Sequence, residues 1–153
     1  MERNKLGREL KIKSRPRDLA MIRRWLERIG KAHGLTPGEI GDLKVATSEA
    51  CTNIIRHAYR GDPSQSIILR ATSSPEGVEI TIRDFAPPLD PPFLHAPDFA
   101  EPHEGGYGIF LIRQLTDAVE FSHPEGGGNQ LRMVKRRNSL EKREGGGATS
   151  HGA

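Results

Sequence analysis

Leu10 and Ile12 stand between Glu9, Lys11 and Lys13, an alternation of period two that predicts a short first strand. From Pro16 the period changes. Leu19, Ile22, Leu26 and Ile29 recur at intervals of three and four, which predicts an amphipathic helix stopped by Gly34. Trp25 and Met21 widen its apolar face, while Arg23, Arg24, Glu27 and Arg28 fall away from it. Thr36-Pro37-Gly38-Glu39 then reads as a helix start: Thr36 as N-cap, Pro37 at the first helical position, Glu39 reaching back as in a capping box. This second helix is expected to run to about Tyr59, ahead of Gly61-Asp62-Pro63. Leu43, Ala46, Ala50 and Ile54 give it an apolar stripe. Beside that stripe Glu49, Asn53 and His57, spaced four apart, are each turned about 40° from the one before and form a polar one.

Two alternating runs, 66–72 and 78–82, predict strands joined by the turn material of 73–77. After Asp84 the pattern collapses. Pro87, Pro88, Pro91, Pro92, Pro97 and Pro102 exclude a helix or a central strand and predict a long loop, ended by Gly105-Gly106-Tyr107-Gly108. Residues 109–115 read as a short apolar helix. Residues 119–122 and 130–136 read as strands, joined through Gly126-Gly127-Gly128-Asn129, a turn rich in residues that tolerate positive φ. From about Asn138 the chain has little to bury, so a disordered tail over 138–153 is expected behind one domain over 1–137. About five strands, mostly hairpin-joined, and three helices give the α+β class. The expected architecture is a two-layer sandwich, a mixed and mostly antiparallel sheet covered on one face by helices.

Composition narrows this picture modestly. A chain of 153 residues supports one ordinary core, and 35% hydrophobic content with 17 glycines and 11 prolines leaves much of it to loops. The net charge of +3 is mild. Basic residues gather in the first twenty-five positions and again at Arg132, Lys135, Arg136 and Arg137, as for an acidic partner, an anionic ligand or simply a solvated surface. The single cysteine, Cys51, excludes an internal disulfide and, inside the second helix, reads as a packed thiol in a reducing compartment. No apolar run approaches the ~20 residues that span a bilayer, and the charged N-terminus lacks the apolar core of a signal peptide. A soluble, cytoplasmic protein is expected, without membrane or direct nucleic-acid partners.

Three features carry candidate chemistry. The Gly-rich segment opens a helix, where backbone N–H groups and the helix dipole receive phosphate oxygens; glycines also simply terminate loops. Asp84 ends an alternating strand, where its carboxylate can accept from the exocyclic amine of a base or cap the following turn. On the polar stripe, Asn53 offers a neutral oxygen suited to Mg²⁺, and Glu49 can accept a proton from a hydroxyl nucleophile. The bland alternative for that stripe is a solvated helix face. His57, two turns from Glu49, reads as a packed or hydrogen-bonded helix-end histidine.

The order of these features is more telling than any one of them. It resembles the ATP-binding fold of the GHKL superfamily of gyrase, heat-shock chaperone and histidine kinase, and most closely the small anti-sigma-factor serine/threonine-protein kinases of bacterial partner switching. The first motif is Thr47-Ser48-Glu49-Ala50-Cys51-Thr52-Asn53 with His57-Ala58-Tyr59. The second is Asp84-Phe85-Ala86-Pro87-Pro88 with Asp90-Pro91, and the third Gly105-Gly106-Tyr107-Gly108-Ile109 with Leu111-Ile112. The resemblance covers roughly 6–137. It implies ATP and Mg²⁺ as cofactors, with Asn53 holding the metal and Glu49 as general base. It further implies that Asp84 reads the adenine, with Ala86 beside it, and that the 105–108 loop closes over the phosphates before Ile109. Tyr107 covers the nucleotide or packs under the loop. The implied partners are a sigma factor and a STAS-domain antagonist, whose serine or threonine is phosphorylated, and members are often homodimers. Three departures bear on catalysis rather than fold. Ala86 stands where glycine is usual, Gly128-Asn129-Gln130 replaces a frequent Gly-Thr pair, and the loop is unusually rich in proline. The alternative they favour is a catalytically inactive nucleotide- or partner-binding module of the same fold.

Overall fold

The computed structural model describes residues 8–88 and 106–137. Strand β1 (Glu9–Lys13) is followed by a 3₁₀ turn (Pro16–Asp18), helix α1 (Leu19–Ala32) and helix α2 (Pro37–Asn53), which continues into a π-helical turn (Ile54–Ala58). Then come β2 (Ser66–Ser73), β3 (Gly77–Asp84), α3 (Gly106–Leu115), β4 (Ala118–Ser122) and β5 (Asn129–Arg136). The strands form one sheet in the order β1-β2-β3-β5-β4, and each adjacent pair is antiparallel. The five strands, three helices and α+β class expected from the pattern are all present.

The alternation of period two decides which face of the sheet is covered. Ile12, Ile67, Leu69, Ala71, Val78, Ile80, Ile82, Leu131 and Met133 point to the helices and join Ile22, Trp25, Leu26, Leu43, Ala46, Cys51, Ile109 and Ile112 in one core. The opposite face is polar and laced with ion pairs, Arg132–Glu79 at 2.8 Å and Arg70–Glu9 at 3.1 Å among them.

Helix ends follow their local signals. Gly34 takes φ +80° just beyond α1, where the Leu35 N–H donates to the Gly30 carbonyl at 2.9 Å and the Gly34 N–H to Lys31. The capping box at Thr36 is complete, with Glu39 N–H on Thr36 Oγ1 at 3.1 Å and Thr36 N–H on Glu39 Oε1 at 2.8 Å.

Three expectations need correction. Met21 lies 38% exposed, at the edge of the stripe that buries Ile22, Trp25, Leu26 and Ile29. Lys135 does not solvate the surface. It is buried, with Nζ on Asp42 Oδ2 at 2.9 Å and on the Leu115 carbonyl at 2.8 Å, tying β5 to α2 and to the end of α3. Arg137 donates to the His33, Pro75 and Gly77 carbonyls and to Ser73 Oγ, closing the sheet behind α1 rather than awaiting an anion. The expected tail lies outside the described residues, as do 89–105 of the Pro-rich loop. No helix among the described residues is long and apolar enough to cross a membrane.

Candidate functional site

The site is assembled where α2 changes its winding. Its i→i−4 ladder runs to Asn53, and the next turn widens, with the Tyr59 N–H donating to the Ile54 carbonyl five residues back at 2.8 Å. The wider turn delivers Tyr59 to the sheet. Its hydroxyl donates to the Ser66 carbonyl at 2.6 Å and accepts from the Phe85 N–H at 2.7 Å. One phenol thus fixes the helix end to the start of β2 and the end of β3.

Asp84 closes β3 opposite Asn129, the first residue of β5. Both are buried, at 4% and 2% exposure. Asp84 Oδ1 accepts from the Asn129 carboxamide nitrogen at 2.9 Å and from the Ala86 N–H at 3.0 Å, and the same nitrogen lies 3.3 Å from the Pro87 carbonyl. Of the two roles open to this aspartate, the turn cap is therefore formed. Burial pushes its carboxyl above the ordinary range, opposed by hydrogen bonds from Asn129 and Ala86 and by the Arg83 charge. Gly128 sits at φ +86°, and a Cβ there would collide with the Asp84 carbonyl, so glycine is needed for β5 to enter beside Asp84.

Above this pair lies a small, mostly apolar cavity. Ile54, Ile82, Ile112, Phe121 and Leu131 are among its apolar lining, and Asn53, His57, Asp84, Asn129 and Gln130 are its polar residues. Asn53 is 5% exposed and its carboxamide nitrogen has no hydrogen-bond partner among the described residues. Leaving such a donor unpaired costs about 1–3 kcal/mol. A carboxamide on a cavity wall offers an N–H₂ donor to a group that presents oxygens or, with its oxygen turned inward, a ligand to a hard cation.

The sequence-predicted residues divide accordingly. Asn53 and Asp84 come together, with Ala86 buried just behind Asp84. Glu49 is half-buried but does not line this cavity; it faces a separate depression with Arg23, Lys44, Ser48, Thr52 and Arg56. Four-residue spacing drifts around a helix, and here that drift separates the two flanks. His57 is exposed on the rim rather than packed, because the π turn swings it outward. Gly106 to Gly108 form the first turn of α3, which starts three residues earlier than the apolar pattern indicated, and Ile109 is buried in the core. Gly105 lies outside the described residues, and the described backbone places Tyr107 in the helix.

Sequence reasoning missed what Asn129 and Tyr59 do. Tyr59 carried a signal only as a motif member. Asn129 carried one only as the residue standing in place of the frequent Gly-Thr pair; its bond to Asp84, 45 residues away, comes from the β3–β5 register.

A helix-covered antiparallel sheet with a cavity between helix end and sheet makes this a two-layer α+β module. The chain belongs to the histidine kinase-like ATPase domain family, whose model matches residues 12–135. Among its relatives, the serine-protein kinase RsbW of Bacillus subtilis (strain 168) is 30% identical over 126 residues, covering 77% of this chain and 79% of that protein. The serine-protein kinase RsbW of Bacillus pumilus is 33% identical over 122 residues, covering 73% and 75%. The solved structure of the RsbU and RsbW domains of Rv1364c from Mycobacterium tuberculosis aligns with TM-score 0.59 at 18% identity, over 84% of this chain and 32% of that one. That likeness shares the fold. The family, fold class and serine-protein kinase activity implied by the motif order agree with these relatives.

Proposed function

We propose that the chain is an ATP-dependent serine/threonine-protein kinase and anti-sigma factor acting in the cytoplasm, whose substrate is a serine or threonine of a STAS-domain antagonist. The observation that carries this reading is the cavity headed by the buried Asp84–Asn129 pair and walled by Asn53, whose carboxamide nitrogen has no partner among the described residues. Asp84 presents a carboxylate to the exocyclic amine of adenine, between the apolar faces of Ile82, Ile112 and Leu131. Asn53 would hold Mg²⁺ through its side-chain oxygen; the ion would supply neutralisation of phosphate charge. The first turn of α3 offers N–H groups toward phosphate oxygens, helped by glycines that let the backbone approach.

Glu49, one turn before Asn53, accepts the proton of the acceptor hydroxyl. Its place beside Arg23, Lys44 and Arg56 has the acceptor approaching from the α1–α2 side while the nucleotide enters from the sheet side. The sigma factor and a second copy of the chain complete the partners in this reading.

Incubation with labelled ATP and candidate STAS-domain proteins tests it. Label on an antagonist serine or threonine, abolished by Glu49→Ala, is expected. A second reading, a binding module without transfer, is favoured by Glu49 standing off the cavity wall and by Asn129 in place of a hydroxyl residue. It predicts ATP binding with no labelled protein at all.

A further inference from the structure

We propose that Asn129 is the positioning residue that makes Asp84 a selective reader of adenine, acting through the carboxylate rather than by touching the base. This inference rests on the base-reading role given to Asp84 above. Two donors, the Asn129 carboxamide and the Ala86 N–H, converge on Oδ1 at 2.9 and 3.0 Å, and the Asn129 backbone N–H bonds the same carboxylate. A carboxylate held by these donors cannot rotate freely, so the orientation it offers the cavity is fixed. Guanine presents a carbonyl where adenine presents its amine, and an oriented, ionised carboxylate repels the one and accepts from the other.

The carboxamide does more than a hydroxyl would. With two N–H donors, Asn129 reaches both Asp84 and the Pro87 carbonyl at 3.3 Å, so the end of β3, the turn after it and the start of β5 share one clasp. Its hydrogen bond also opposes the desolvation that favours protonation of Asp84. Arg83 on β3, Tyr59 after the π turn and His57 on the rim are the other titratable groups around this aspartate. The Tyr59 hydroxyl donates to the Ser66 carbonyl instead, and His57 is exposed.

The test compares Asn129→Val with Asn129→Thr in the full chain. The two side chains share a shape and differ in one donor. Equilibrium affinities for ATP and GTP with Mg²⁺ are measured from acid to neutral pH, alongside thermal unfolding. Asn129→Val should weaken ATP about tenfold and leave GTP nearly unchanged, while its acid limb of ATP binding moves to higher pH. Asn129→Thr should keep most of the ATP preference and the wild-type limb. Asn129→Leu, nearer in size, gives the same comparison should the smaller side chains unfold the strand. Equal ATP-to-GTP ratios and pH limbs in the variants with and without a donor overturn the inference. Asp84→Asn is run in parallel. If it abolishes the preference while Asn129→Val keeps it, only the role of Asn129 falls. If Asp84→Asn also keeps it, the base-reading role fails and takes this inference with it.

Discussion

Asp84 combines burial, a raised pKa and two donors on one oxygen, and its energetics run against its proposed use. Because its folded-state pKa lies above the ordinary carboxylate value, folding favours the protonated form. That stabilising contribution is complete below the ordinary pKa and is lost as pH rises through the raised one. Asp84→Asn keeps an acceptor for Ala86 and Asn129 without the charge. The variant should therefore be at least as stable as wild type at neutral pH in urea titrations, with the gap closing in acid, yet bind ATP at least tenfold more weakly. A loss of stability at neutral pH would contradict the desolvation account. Cys51 lies fully buried with its thiol pushed up to about 12, so thiolate-directed reagents should modify it only as fast as the protein unfolds. Rapid labelling of the folded chain under non-denaturing conditions would contradict that. At this scale the packed Cys51 was readable from its place on the helix. The surroundings of Asp84 were not, because Asn129 is distant in sequence.

Elements were legible wherever their signals are local. The capping box at Thr36, the Gly34 stop and the strand alternations all specify backbone conformation within a few residues, and they form as read. The π turn at Ile54–Ala58 has no such signature: it exists because Tyr59 must reach Ser66 and Phe85 across the sheet. Tyr59→Phe removes both hydrogen bonds while keeping the ring. It should cost about 1–2 kcal/mol in chemical denaturation and weaken ATP binding, since the turn carries the cavity wall. Unchanged stability with unchanged affinity would show that the π turn holds itself. The drift of Glu49 away from Asn53 is also an element-scale effect, one that a stripe drawn from residue spacing alone understates.

For the whole molecule, the succession of motifs was more informative than their chemistry taken singly. Asn53 and Asp84 belong to elements far apart in sequence, and only a fold that brings the end of α2 over the ends of β3 and β5 joins them. The register of β5 against β3 is the part no local pattern specifies, and the position of Asn129 depends on it. Arg137 ties β5 to α1 and to the β2–β3 turn: its guanidinium holds the His33 carbonyl at 2.6 Å, the Pro75 carbonyl at 2.8 Å and Ser73 Oγ at 2.9 Å. We propose that residues 138–153 contribute no packing. Truncation after Arg137 should then leave the melting temperature almost unchanged, whereas Arg137→Ala in the full chain should lower it by several degrees. A large drop on truncation would show the tail docked.

All the site assignments depend on one event, the entry of ATP into the cavity between α2 and the sheet. Calorimetric titration of the full chain with ATP in the presence of Mg²⁺ measures it directly. One saturable site per chain is predicted, lost in Asn53→Ala and weakened when Mg²⁺ is chelated. An absence of saturable binding, or binding indifferent to both changes, would contradict the account.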